Sequence, residues 1–293
     1  MTYLLVADQA GRRLLLMDAD APDGVLWSFT PDGDPRYADL DPATSWEYVS
    51  EAKLRIRRRK PYVLTTASKG FAAVVEYPTG RPYWARALTP DLNLHSIELV
   101  PHGNIAVVGS TGGVLRIYAA HNDTYAEAPL EDAHGLQWDA RLRVLWALGR
   151  HELVAYRVQG TADRPEIKRG RSAELPHPDG DHAGGHDLGQ VAGNPDRLWV
   201  TTRHEVLQYS KKRREFVKDY PGAARTDRED VKSIGSDHRS GRLLSTSPED
   251  GLHQSWWTTS VRLDEPTGAV KLADGGIYKA RWWDLSETDA LSR

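Results

Sequence analysis

The 293-residue chain has no cysteine, which excludes disulfides, thiolate-held zinc, iron–sulfur clusters and cysteine nucleophiles by counting. Any metal would have to sit on His, Asp, Glu or carbonyl oxygen. Neither sign of charge is in excess: 38 Lys and Arg stand against 41 Asp and Glu, a net charge of -3 at pH 7. That balance supplies no electrostatic drive toward nucleic acid or an anionic membrane, so neither is expected as a partner. No stretch approaches the ~18 uninterrupted apolar residues of a spanning helix. The opening run Met1-Thr2-Tyr3-Leu4-Leu5-Val6-Ala7-Asp8 lacks the basic and apolar regions of a signal peptide, which predicts a cytoplasmic protein. Also missing are a Gly-x-Gly-x-x-Gly loop after a strand, a phosphate-binding loop and a nucleophile elbow. Nucleotide chemistry and Ser-His-Asp catalysis therefore find no support.

Helical 3.6-residue periodicity is nearly absent too, and in its place short β-rich runs alternate with turn residues. Tyr3–Ala7 and Arg13–Met17, Tyr62–Thr66 and Ala72–Tyr77, Ile105–Val108 and Val114–Tyr118, Val144–Leu148 and Leu153–Val158, and Leu198–Thr202 and Val206–Tyr209 read as hairpin pairs. A longer period overlies them. Segments opening at His95, His134 and His186 each run strand, polar turn, strand, short turn, strand, and weaker copies open at Glu51 and Lys232. A sixth unit is split between the ends of the chain, with Tyr278–Asp284 supplying an inner strand and Tyr3–Asp8 the strand beside it. Repeats of this length are the mark of a propeller. The prediction is an all-β, six-bladed β-propeller of four-stranded blades forming a single domain over 1–293, its ring closed by the N-terminal strand pairing with the C-terminal inner strand.

The blade-opening histidines in His95-Ser-Ile, His134-Gly-Leu and His186-Asp-Leu, followed by a polar turn and a Val/Trp-rich strand, resemble the β-propellers grouped around NHL-repeat proteins, SMP-30/strictosidine-synthase-like proteins and virginiamycin B lyase. The resemblance implies the architecture across most of the chain. It implies no single activity, because propellers host lyases, lactonases, oxidoreductases and inert scaffolds.

In a propeller the inner strands all begin at one mouth of the central channel, so the residues opening them converge. Aligned on their second strands, the blades place Glu51, His95, His134, His186, Lys232 and Lys279 at this position, all six ionisable. Three imidazoles and the Glu51 carboxylate would form a site for a divalent ion such as Zn, Mn, Fe or Ni. Lys232 and Lys279 would face it as bases or as anchors for an anionic substrate. The turns Arg150-His151-Glu152 and Arg203-His204-Glu205 fall on the same face, making Arg150, His151, Arg203 and His204, with Arg281, candidate substrate-binding groups. His102 and His238 belong to the opposite face. Most of the ten Trp recur at equivalent positions, as in the pairs Trp146/Trp199 and Trp138/Trp283, and are expected between blades, whereas the irregular Trp256, Trp257 and Trp282 could offer a stacking platform. The basic runs Arg55–Lys60 and Lys211–Arg214 are expected as solvated turns.

Two functions follow. One is a monomeric metal-dependent enzyme, of lyase, isomerase or hydrolase type, acting on a small anionic or sugar-like molecule at the channel mouth. The other is a non-catalytic propeller binding a ligand or a protein partner.

Overall fold

The structure, a computed structural model, describes residues 2–21 and 24–284. Six four-stranded antiparallel sheets follow one another around a ring. Blade 1 combines Ile277–Trp282 with Tyr3–Asp8, Arg13–Asp18 and Val25–Phe29. Blades 2 to 6 are continuous in sequence, and their inner strands are Val49–Arg57, Leu94–Leu99, Gly135–Asp139, Asp187–Gln190 and Ser233–Ser236. Among the described residues no helix is long and apolar enough to cross a membrane.

Strand residues alternate between the two faces of a sheet, and each blade here buries both faces against its neighbours. The core is accordingly divided into six clusters, one at each junction between blades. Leu5 and Leu14 of blade 1 meet Val63 and Phe71 of blade 2 in one of them, and Trp146 of blade 4 meets Leu198 and Tyr209 of blade 5 in another. Trp146 and Trp199 are 3% and 2% exposed, so these indoles pack between blades as expected. The ring closes through Leu4 to Ala7, which pair with Trp282 to Lys279.

The hairpin between the first two strands of blade 2 turns on Arg58 and Arg59, both with positive φ (48° and 64°), the geometry of a two-residue primed turn. The basic run Arg55–Lys60 is thus solvated only in part. Arg55 points into the channel and holds Glu98 through Nε and Nη2 (2.7 and 2.6 Å). Lys211, the first residue of the other basic run, is likewise buried and donates to Asp139 at 2.7 Å. Sequence alone reads both runs as surface turns because their buried partners lie more than 40 residues away.

Candidate active site at the first channel mouth

Each inner strand is entered through a tight turn, and the turn residue two places before the blade-opening side chain takes a left-handed backbone in four consecutive blades. Asn93 (φ 52°), Asp132 (47°), Gly184 (59°) and Asp230 (54°) precede His95, His134, His186 and Lys232 in this way. Asn and Asp tolerate this region better than other residues carrying a Cβ. The turn also sets the imidazoles, since His95 Nδ1 lies 2.9 Å from the Asn93 carbonyl and His134 Nδ1 lies 2.9 Å from the Asp132 carbonyl. A carbonyl can only accept, so both protons sit on Nδ1 and both Nε2 atoms carry a lone pair.

The three imidazoles form a row. Ring centroids are 4.1 Å apart for His95 and His134 and 5.5 Å apart for His134 and His186. Lys232 continues the row, with Nζ 3.1 Å from His186 Nε2 and 3.2 Å from Asp230 Oδ1. Burial holds His95 down to about 3, and burial together with the neighbouring imidazoles holds His134 well below its ordinary value. Burial also lowers Lys232, against the pull of Asp230, while the bond to His186 keeps Asp230 below the usual carboxylate range. At neutral pH His95 and His134 are uncharged acceptors through Nε2, and the row ends in the Lys232 cation.

Glu51 and Lys279 do not join this row. The register slips at Val49/Glu51, Leu94/Ser96 and between Ile277 and Lys279, leaving Ser50, His95 and Tyr278 as the extra residues of β-bulges. Counted through the bulges, Ser50 and Tyr278 are the equivalents of His95, and Glu51 and Lys279 belong one residue deeper, level with Ser96 and Asp187. There Arg281 donates to both Glu51 oxygens at 3.1 Å and to Asp187 at 2.5 and 2.6 Å. Lys279 Nζ lies 3.3 Å from Asp187 Oδ1 and 3.9 Å from Glu51 Oε2, and it donates to the carbonyls of His95 and His134 at 3.5 Å. Burial would raise the Glu51 carboxyl, but Arg281, Lys53 and Lys279 together hold it well below the usual range. Burial opposes the charge of Arg281 as well, and the two carboxylates outweigh it. Glu51 and Lys279 are fully buried. They form an ionic plug across the channel and are open neither to metal nor to substrate, and Arg281 is part of the same plug.

Among the described residues no three His, Asp or Glu side chains are placed to share one ion. Of the expected set, Glu51 is turned to Arg281, which donates to both of its oxygens, while His95, His134 and His186 stand side by side at the mouth. The rim candidates are on the predicted face but paired with acids. Arg150 Nε lies 3.3 Å from Glu131 and 3.6 Å from Asp132, and Arg203 Nη1 is 4.0 Å from Asp181. His151 is 4.0 Å from Glu131, and His204 is 3.5 Å from Asp181.

The mouth opens as a cavity of about 580 Å³ lined by His95, Lys232 and Tyr278 from the inner strands and by Tyr48, Asn93 and Trp256 from the rim. Tyr278 replaces Lys279 as the blade 1 contribution. Its ring meets His95 at 5.9 Å, burial pushes its hydroxyl above the ordinary tyrosine value, and no hydrogen-bond partner of that hydroxyl is found among the described residues. A second cavity, of about 560 Å³, lies at the far mouth, where Arg55, Gln137, Gln190 and His238 line it.

A crystal structure of a protein of unknown function from Bacteroides caccae is similar over 99% of this chain and 97% of its own, at 12% identity and a TM-score of 0.56. Virginiamycin B lyase from Staphylococcus aureus is similar over 92% of this chain and 84% of its own (13% identity, TM-score 0.52). A catalytically inactive histidine-to-alanine variant of that lyase, crystallised with quinupristin, gives 90%, 80%, 13% and 0.51 for the same quantities. At such identities the likeness is one of fold. No curated protein matches the sequence. The model described as "Family of unknown function (DUF6528)" matches residues 1–289, and the chain belongs to that family.

Proposed function

We propose that the first mouth is the active site of an enzyme acting on a small anionic molecule by proton transfer, of lyase type. The observation that carries this is the pair His95 and Tyr278: a lone-pair nitrogen fixed by its own backbone turn beside a protonated phenol, both at the wall of one cavity that also holds Lys232. Lys232 would take the substrate carboxylate. A bound anion offsets the burial that depresses His95 and lifts its basicity, so that Nε2 can accept the proton from the carbon next to the carboxylate. The electron pair left behind forms the C=C bond as the leaving group departs from the adjacent carbon, taking its proton from Tyr278. His134 and His186 would pass protons along the row. A divalent ion, were one bound, would have the Nε2 atoms of His95 and His134 as its nitrogen ligands, with the Asp132 and Asp230 carboxylates beside His134 and His186.

The test is turnover of carboxylates bearing a leaving group on the adjacent carbon, followed by the absorbance of the new conjugated double bond, with elemental analysis of the same preparation. Loss of turnover in His95→Ala and Tyr278→Phe, with a raised KM in Lys232→Ala, is expected. Full activity in His95→Ala would overturn the reading. Stoichiometric metal lost only in the histidine variants would replace its base with a metal-bound one.

A further inference from the structure

Trp256 is 37% exposed at the cavity wall, in a loop that follows the second strand of blade 6, yet it is held in place. Its indole N–H donates to Gln9 Oε1 at 3.0 Å, and the same oxygen accepts from the indole of Trp257 at 2.5 Å. Gln9 is 5% exposed and fixed at three further points: its amide donates to the Val49 carbonyl at 3.1 Å, its backbone N–H to the Gly276 carbonyl at 2.8 Å, and it directly follows the ring-closing strand. Trp257 is backed by bare glycine, since a Cβ at Gly276 would lie 2.6 Å from its ring. Tyr48 completes the wall, edge-on to Trp256 with centroids 6.2 Å apart. Its backbone is left-handed (φ 58°), a conformation that a bulky aromatic rarely adopts and that is retained most often where a site requires it. The result is an indole face that is open to the cavity and held in one orientation, the geometry on which a ring-shaped ligand can stack.

The rest of the wall is rich in hydrogen-bonding groups. Ser68, Lys69, Asp91, Asn93 and Thr111 line the same cavity as Trp256 and Tyr48. A fixed aromatic face, a rim of donors and acceptors, and the Lys232 cation at the floor suit a ligand with one apolar ring face, several hydroxyls and a carboxylate. We infer that the mouth binds a sugar acid, its ring laid against Trp256 and its carboxylate toward Lys232, with Gln9 as the positioning residue for the indole. This rests on the first mouth being the functional site and deepens that proposal by naming the ligand class.

Calorimetric titration with galacturonic acid and its disaccharide, with succinate as a ringless dicarboxylate, tests it on the full chain. Binding of the sugar acids is expected to weaken about tenfold or more in Trp256→Ala, the usual weight of a buried aromatic anchor, and less in Trp256→Phe. Gln9→Ala, which frees both indoles, should weaken the sugar acids and leave succinate unchanged. Sugar-acid affinity in Trp256→Ala equal to that of the parent chain, or no sugar-acid binding at all, overturns the inference. If ringless carboxylates bearing a leaving group on the adjacent carbon are turned over in a His95-dependent way while no sugar acid binds, the ligand class falls and the enzyme reading stands. If sugar acids bind on Trp256 and no compound is turned over, the enzyme reading alone falls.

Discussion

Arg281 Nη1 donates to Asp187 Oδ2 at 2.6 Å across the central channel, tying the strand that closes the ring to a blade two places away. The same guanidinium holds Glu51 of the adjacent blade, so one cation bridges two fully buried carboxylates, with Lys279 facing Asp187 and Lys53 facing Glu51 beside it. Removing it leaves this buried cluster one positive charge short, which costs far more than the pairs themselves contribute. Arg281→Met is expected to destabilise the protein by about 3–5 kcal/mol, read as a lowered urea midpoint at pH 7. A change under about 1 kcal/mol, the weight of a surface pair, would show that the plug is not load-sharing.

The neutral imidazole row makes stability fall in mild acid. Histidine in the unfolded chain takes its proton near 6.5, while folded His95 resists until about 3. The folded value is depressed, so this contribution is complete above pH 6.5 and is lost as the pH drops toward the folded value. Each such imidazole gives a slope of about 1.4 kcal/mol per pH unit. Unfolding free energies measured between pH 6.5 and 5 should show this slope, and His95→Gln with His134→Gln should flatten it. An unchanged slope in the double variant would place the acid sensitivity elsewhere.

Asn93 links backbone strain to the site. Its left-handed φ lets its carbonyl accept from His95, and a β-branched residue there would meet a steric penalty of about 1–2 kcal/mol. Asn93→Val should lower the urea midpoint by that amount and loosen His95, visible as a rise in its NMR titration midpoint. Asn93→Gly, free of the penalty, should lose less than Asn93→Val. Equal losses in both variants would mean that the Asn93 side-chain bonds to Ser110 and Thr111, and not its φ, matter most.

The architecture was legible because the hairpins repeat and their apolar runs have the strand period, so six units, the split blade and its closing pair could all be read from residue types. What could not be read was the bulge. A one-residue insertion leaves the pattern of residue types intact but shifts every residue before it by one place, which is why Glu51 stood in for Ser50 and Lys279 for Tyr278. A signal was present in the turn chemistry: Asn93, Asp132, Gly184 and Asp230 each sit two places before the mouth residue, whereas in blade 1 the left-handed residue is Asp274, four places before Tyr278. Blade 2 has no such marker, because Tyr48 occupies the turn against its own preference. The pairing of Trp256 with Gln9 spans nearly the whole chain and leaves no local trace.

The ring-closing strand also governs the order in which the molecule can be made. Leu4 and Leu5 must wait for Trp282 and Arg281, so during synthesis the first strand has no inner neighbour until about 275 further residues have been added. Contacts between residues so distant in sequence carry the largest loop-closure entropy and form late. Until then the nascent chain holds an open arc with exposed strand edges at both ends, and the channel, its ionic plug and the aromatic wall above it all come into being in the same final step.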